Sequence, residues 1–331
     1  MLTFCTLFDS NYLSRGLSMY YSLRQHCKDF QLFVFAFDER AYTILEKMAL
    51  PSVKLISLKE FEDETLLQVK PTRSKAEYCW TATSSTILFI IEKHGVESCT
   101  YIDADLYFYD SPKILIDEMK DKSILVTEHR YAPERDLSSL SGKYCVQFIT
   151  FKNDERGLAA LKWWRSACIE WCYARAEDGK YGDQKYLDDW TTRFEGVHVL
   201  QHLGGGVAPW NVQQYNFTLD GSTVKGRKID PDIVFKVVFY HFHYIRYYTD
   251  KTIDLGDYYL TKNVKEIFYY PYLAELGKSK EIISEVDNLF DSHGPREKEI
   301  GWRMPLVNLK RRFYNRYNIF TIEEINRQLT K

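Results

Sequence analysis

The chain contains no run of 18 or more apolar residues, so its sequence predicts no membrane-spanning helix. Its first residues, MLTFCTLFDSN, lack a basic segment followed by a long apolar one, and no secretory signal is expected there. There is no C-x-x-C pair. The seven cysteines (Cys5, Cys27, Cys79, Cys99, Cys145, Cys168, Cys172) are odd in number and scattered, mostly in apolar runs. That pattern predicts reduced, buried thiols in a cytosolic protein and argues against a disulfide framework. Neither G-x-G-x-x-G nor a P-loop occurs, which excludes nucleotide loops of those kinds. Repeats, low-complexity tracts and long linkers are also missing. With a net charge of −2 there is no global positive field, and nucleic acid is not an expected partner.

What is present is an ordinary soluble composition, 45% apolar and 27% charged, over 331 residues. That length allows one large domain or two smaller ones. Aromatic residues are plentiful, with 25 Tyr and 20 Phe; most such rings pack, and some line polar ligand sites.

Short apolar runs alternate with helical patterns along the first half. Residues 2–8 read as a buried strand, and 9–11 as an N-cap for a helix to His26. Residues 31–37 and 53–58 read as further strands, with a helix between them. A helix is predicted over 73–94, strands over 124–127 and 144–151, and a long helix over 155–175 carrying Trp163, Trp164 and Trp171 toward the core. An apolar strand is predicted over 233–240. This alternation predicts a parallel, doubly wound sheet, in which ligands sit at the carboxyl ends of strands.

The stretch Tyr101-Ile102-Asp103-Ala104-Asp105 ends one such apolar run. Residues two apart in an extended segment point the same way, so Asp103 and Asp105 face together. They are either solvated acids at a turn or ligands of a hard cation, Mn²⁺ or Mg²⁺. His241 and His243 end the predicted strand 233–240, where an imidazole could complete a metal site. Gly182-Asp183-Gln184 places a carboxylate and an amide after a turn, and Asp183 alone would read as a helix cap. Gly204-Gly205-Gly206 implies close backbone approach. Arg73 and Lys75 near a helix start oppose its dipole; they read either as two solvated surface cations or as the partners of a bound phosphate, which would remove the conflict.

Taken together, these motifs resemble the GT-A glycosyltransferases, most closely the retaining enzymes of glycosyltransferase family 8, over residues 2–245. Thr6-Leu7-Phe8-Asp9 is similar to that family's nucleoside-contacting opening, and Lys75 to Thr81 lies where its donor-binding helix begins. Tyr101 to Asp105 is similar to its D-x-D strand, Gly182-Asp183-Gln184 to its G-D-Q, and His241 to its third metal ligand. One departure stands out. The stretch His202 to Trp210 resembles the family's H-x-x-G-x-x-K-P-W, but Ala208 occupies the lysine position and the stretch precedes the last strand.

The resemblance implies an α/β GT-A fold, a Rossmann-like doubly wound mixed sheet with flanking helices. It implies a catalytic domain over 1–248, with a nucleotide-binding half (1–110) and a sugar and acceptor half (111–248), and a helical extension over 249–331. It implies Mn²⁺ or Mg²⁺ held by Asp103, Asp105 and His241, with His243 and His202 as alternatives. Thr6, Leu7, Phe8, Asp9, Arg73, Lys75 and Ala104 would join the two aspartates in binding a nucleotide-sugar donor, with a UDP-sugar favoured. Glu128, Gly204, Gly205, Gly206, Trp210 and Asn211 would line the sugar and acceptor site. Asp183 and Gln184 would be catalytic, with Glu128 as base if the enzyme inverts. The acceptor would be a glycan or lipid-linked glycan. Two rivals are a sugar nucleotidyltransferase, whose G-x-G-T-R-L pattern is absent, and a non-catalytic nucleotide- or carbohydrate-binding protein.

Residues 299–331 carry seven Lys and Arg against three acids, interleaved with Trp302, Phe313, Tyr314, Tyr317 and Phe320. The segment reads either as a C-terminal helix with a solvated basic face or as a peripheral contact with an anionic membrane surface. With no signal predicted, the expected location is cytoplasmic, at the inner face of the cell membrane.

Overall fold

The computed structural model describes residues 1–298, 301–302 and 304–329. Strands β1 (Leu2–Phe8), β2 (Phe30–Ala36), β3 (Val53–Ser57), β4 (Ser98–Ile102), β5 (Leu106–Phe108), β6 (Ile124–Glu128), β7 (Tyr144–Lys152) and β8 (Val197–Val199) come first in the chain. Seven of these form one sheet in the order β3-β2-β1-β4-β7-β6-β8. The β3-β2-β1-β4 half is parallel. β7 then runs antiparallel to both of its neighbours, and β8 returns parallel to β6. The sheet is therefore mixed: the predicted alternation holds for its parallel half only.

Both faces of the sheet are covered, which is why its strands are continuous apolar runs. Side chains of β1 alternate between the two layers, Phe4 and Phe8 into one core and Cys5 and Leu7 into the other. Helices Leu13–His26 and Glu39–Met48 contribute to the first layer, and Lys75–His94 and Glu155–Glu170 to the second. Caps set where the helices begin: Asp38 accepts the Ala41 amide at 2.7 Å, and Ser74 and Glu77 form a reciprocal capping box. The predicted helix over 155–175 stops at Glu170, where Trp171 turns extended. Trp164 is fully buried between Phe151 and Trp190, as a packing tryptophan should be. Six of the seven cysteines are buried, and none is in a disulfide.

The apolar run 233–240 is two strands. β9 (Tyr215–Asp220), β10 (Thr223–Lys228) and β11 (Ile233–Lys236) form a small antiparallel sheet, whereas β12 (Phe239–His241) pairs with β5. Between them the Val237 amide bonds Val224 and the Val238 amide bonds the Gly204 carbonyl, so the chain crosses from one sheet to the other. Two long-range pairings of opposite demand split a segment whose local pattern is uniform.

The last eighty residues are helical only in part. β13 (Arg246–Tyr247), β14 (Thr252–Asp254) and β15 (Ile319–Thr321) make a three-stranded sheet that ties the C-terminal segment back to residues 246–254. The helix Tyr270–Val286 joins the first core layer through Ile283, and the Ser279 and Ser18 hydroxyls are hydrogen-bonded at 2.7 Å. No helix among the described residues is long and apolar enough to cross a membrane.

Candidate active site

β4 ends at Ile102, and the turn that follows presents Asp103 and Asp105 at its carboxyl end. The Asp103 amide donates to the Gln147 carbonyl of β7 at 3.0 Å, and the Leu106 amide closes the turn onto the Asp103 carbonyl. Antiparallel pairing sets His241 opposite Leu106, and the Phe242 amide bonds the Asp105 carbonyl at 2.9 Å. The His241 Nε2 therefore lies 3.1 Å from an Asp105 oxygen and 3.7 Å from an Asp103 oxygen. One ligand atom from each of the three residues lies within 4.8 Å of the others. Two carboxylate oxygens and an imidazole nitrogen suit a divalent cation of the Mg²⁺ or Mn²⁺ type, so the three residues can hold a metal. Among the described residues this is the one such group. The alternatives stay outside it: His243 is exposed and bonds the Tyr258 hydroxyl, and His202 receives the Gly204 amide.

Electrostatics bind the cluster tightly. Burial alone would make His241 less basic, but Asp105, by charge and hydrogen bond, raises it well above an ordinary imidazole. Burial would likewise raise Asp105, yet His241 outweighs it and holds that carboxyl below its usual range. Asp103 is lifted to about 6, by burial first and by the charge of Asp105, with His241 opposing. Without a cation, the imidazolium and the Asp105 carboxylate form the pair; a metal held by the three residues would need the Nε2 lone pair, so binding it would release that proton.

Asp183 is buried, and its carboxyl is raised to about 8, chiefly by burial and then by Asp103. The main-chain carbonyl of Asp183 accepts from the Trp164 indole at 2.9 Å. Gln184 donates its Nε2 to the Ser141 carbonyl, and among the described residues its Oε1 has no hydrogen bond. The raised Asp183 has a stability consequence. Its folded value lies above the unfolded one, so the folded state alone keeps the proton between about pH 4 and 8, and stability falls as pH rises through that window. Asp183→Asn is expected to remove that slope and to stabilise the metal-free protein at neutral pH, by on the order of 2 kcal/mol. Denaturant melts at the two ends of the window check this; an unchanged pH dependence would show that the carboxyl is not held neutral.

The remaining predicted residues separate into those near the site and those committed elsewhere. Thr6 is fully buried, and its hydroxyl has no partner among the described residues. Asp9 caps the turn at Asn11, and both Asp9 and Lys75 act electrostatically on the Cys79 thiol, which burial pushes up to about 12. Ala104 is buried between the two aspartates. Leu7 and Phe8 lie in the two core layers, and the Phe8 ring packs on Gly16, so it cannot support a base. The Arg73 guanidinium turns to other residues of the chain: it stacks on Tyr173, bonds its hydroxyl and donates to the Ile169 carbonyl, while its Nε has no partner among the described residues. The conflict expected at that helix start is resolved internally by Glu77, which caps Ser74 and also accepts the Ala174 amide.

The glycine run serves packing. A Cβ on Gly204 would stand 1.8 Å from the Lys236 carbonyl oxygen, and Gly206, at φ +97, abuts Thr127 and the Gln147 amide. Gly205 is buried against Leu115 and Leu200. Asn211 spends its amide on the Ala208, His129 and Gly206 backbone and is buried, so it offers nothing to a sugar. Ala208, at the position of the missing lysine, is fully buried as well. Trp210 does border the cluster, edge-on to His241 and His243 at 5.3 and 5.7 Å. Glu128 is half-buried and paired with Lys143 at 3.0 Å. Sequence reasoning missed Gln147, whose side-chain oxygen is 2.6 Å from His241 Nδ1; its only signal is a lone amide in the apolar run 144–151.

No family model matches the chain. Among solved structures, an active-site Gln-to-Glu mutant of LgtC superposes with a TM-score of 0.50 at 12% identity, covering 84% of this chain and 96% of that one. The galactosyltransferase LgtC in complex with donor and acceptor sugar analogues gives 0.48 at 13% identity over the same shares. The first of these shows the fold, that of the GT-A glycosyltransferases. YfnD of Bacillus subtilis is 30% identical over 293 residues, 87% of this chain and 91% of its own length. YfnF of the same organism is 30% identical over 247 residues, 72% of this chain and 80% of its own. At that identity over that coverage, the chain belongs to the family of Bacillus subtilis YfnD and YfnF, built on a GT-A fold.

Proposed function

We propose that the chain is a metal-dependent glycosyltransferase of the family 8 type. It moves a hexose-type sugar from a nucleoside diphosphate sugar, a UDP-sugar first, to a glycan or lipid-linked glycan, with retention of anomeric configuration. The observation that carries the reading is the Asp103, Asp105 and His241 cluster at the carboxyl end of a central strand in this fold. Bound there, Mn²⁺ or Mg²⁺ would supply Lewis-acid neutralisation of the departing diphosphate. The chain's own residues do the rest. Asp103, Asp105 and His241 would hold the cation, and Asp9 would meet the nucleoside, while Thr6, fully buried, would lie beneath it. Asp183, protonated at neutral pH, can donate as well as accept toward a sugar hydroxyl. The free Oε1 of Gln184 offers a neutral, oriented dipole for the anomeric carbon. The Glu128–Lys143 pair disfavours an inverting base at 128.

A screen of nucleotide sugars by thermal shift, with and without Mn²⁺, tests this. A ligand at 100 times its Kd adds about 2.7 kcal/mol of stability. A UDP-sugar is expected to stabilise only with metal and to be hydrolysed slowly; stabilisation and turnover by no donor would end the proposal.

The same reading puts the enzyme against an anionic lipid surface. The helix Met304–Phe313 exposes Leu306, Leu309 and Phe313 beside Lys310 and Arg312, and Trp302 is exposed just before it. Each well-placed cation adds about 1 kcal/mol at such a surface. Glu299, Arg303 and Lys331, counted in the basic tail, lie outside the described residues. Replacing Leu306, Leu309 and Phe313 by serine is expected to release the protein from phosphatidylglycerol vesicles while sparing turnover on a soluble acceptor. Equal vesicle recovery would remove the membrane from the proposal.

A further inference from the structure

Gln147 lies in the middle of β7, fully buried among apolar neighbours, and it touches the candidate metal centre twice. Its main-chain carbonyl accepts the Asp103 amide at 3.0 Å, and its side-chain oxygen accepts from His241 Nδ1 at 2.6 Å. One residue thus links the carboxylate turn after β4 to an imidazole that arrives about 140 residues later in the chain. Its Nε2 has no partner among the described residues, so the amide is not there to join two other groups. A buried polar group with one idle end is costly unless the bond at the other end matters. Gly206 leaves the space it needs, since a Cβ at 206 would stand 3.1 Å from that Nε2.

We propose that Gln147 is the positioning residue of this metal centre, holding His241 with Nδ1 protonated and Nε2 turned toward the two carboxylates. The inference rests on the metal-centre reading and deepens it. With Nδ1 donating to Gln147 Oε1, the ring turns Nε2 toward Asp105 at 3.1 Å and Asp103 at 3.7 Å. Without the amide, the ring could rotate or adopt the other tautomer, and Nε2 would no longer be presented as a lone pair to the aspartates.

Titration of the full chain with Mn²⁺ alone, followed by the loss of its free-ion EPR signal, tests the assignment. Gln147→Leu is expected to weaken Mn²⁺ binding by roughly 10–100-fold, the usual effect of losing such a partner. Gln147→Glu, which keeps an acceptor at the same place, is expected to rescue it. Wild-type affinity in Gln147→Leu, or an equal loss in Gln147→Glu, overturns the assignment. If Gln147→Leu does not fold, ¹⁵N spectra of the wild-type histidines with Mg²⁺ decide instead: a protonated Nδ1 on His241 supports the proposal and a protonated Nε2 overturns it. Wild-type protein that binds no Mn²⁺ overturns the metal reading itself, an outcome distinct from a Gln147→Leu variant that binds normally.

Discussion

Replacing Asp105 by asparagine is expected to abolish Mn²⁺ binding and to lower sugar transfer by at least about three decades, roughly 4 kcal/mol of transition-state stabilisation. In the proposed site the carboxylate has two tasks, as a ligand and as the charge that makes His241 basic. At 3.1 Å, its gross attraction to the imidazolium is roughly 5 kcal/mol at an effective dielectric near 20. Once that charge is removed, His241 returns to the neutral form that burial favours, and an Asn–His pair remains hydrogen-bonded. The variant should therefore stay folded while failing to bind metal, which separates a lost site from a lost fold. Asp103→Asn should behave alike. In the wild type, Mn²⁺ binding should weaken already as pH falls through the raised range of His241, whose Nε2 then keeps its proton, and more steeply below about 6, where Asp103 takes up a proton as well. Metal titration and donor turnover of the two variants, with circular dichroism as the fold control, check this; metal binding that survives Asp105→Asn would refute the site.

Arg311→Met is expected to be the most destabilising single change in the C-terminal segment. Arg311 grips Asp254 with two hydrogen bonds of 2.9 and 2.7 Å and also donates to the Gly256 carbonyl, and both side chains are buried. Asn318 reinforces the same loop through the Gly256 and Tyr258 carbonyls. Removing the guanidinium strands the Asp254 charge, which costs about 3–5 kcal/mol for a buried pair. The loss should be local first: β15 should detach from β14, and Tyr258, which holds His243 at 2.8 Å, should loosen with it. Amide exchange is expected to accelerate over 252–260 and 304–329. Asp254→Asn in the Arg311→Met background should recover part of the loss, since the stranded charge is then gone. Exchange over 252–260 at the wild-type rate would show that the pair is not what anchors the segment.

Elements whose evidence is local were legible in the sequence. The β1 and β2 runs are covered on both faces and read as unbroken apolar stretches, and residues 9–11 read as the cap that starts the first helix. The acids at 103 and 105 were legible for the same reason, since their i, i+2 spacing after an apolar run is a local fact. Other residues misled because their local chemistry had a partner far along the chain. Arg73 reads as a free cation at a helix start until Tyr173, a hundred residues on, takes it. Phe8 reads as a ring at a strand end until Gly16 gives it a place in the core. The three glycines suggest a ligand, whereas what approaches them is the protein's own backbone at Lys236.

The sequence by itself determined the parallel half of the sheet, the strand-end acids and a small set of histidines from which a third ligand could come. Tertiary structure chose among those histidines, because only the pairing of β12 with β5 brings His241 against Asp105 while leaving His243 exposed. It also supplied Gln147 and ended the strand 233–240 early. The physical reason is one of range. Side-chain periodicity reports which face of an element is buried, whereas the identity of the group facing it depends on loop closure across a hundred residues or more, which no short window of sequence records.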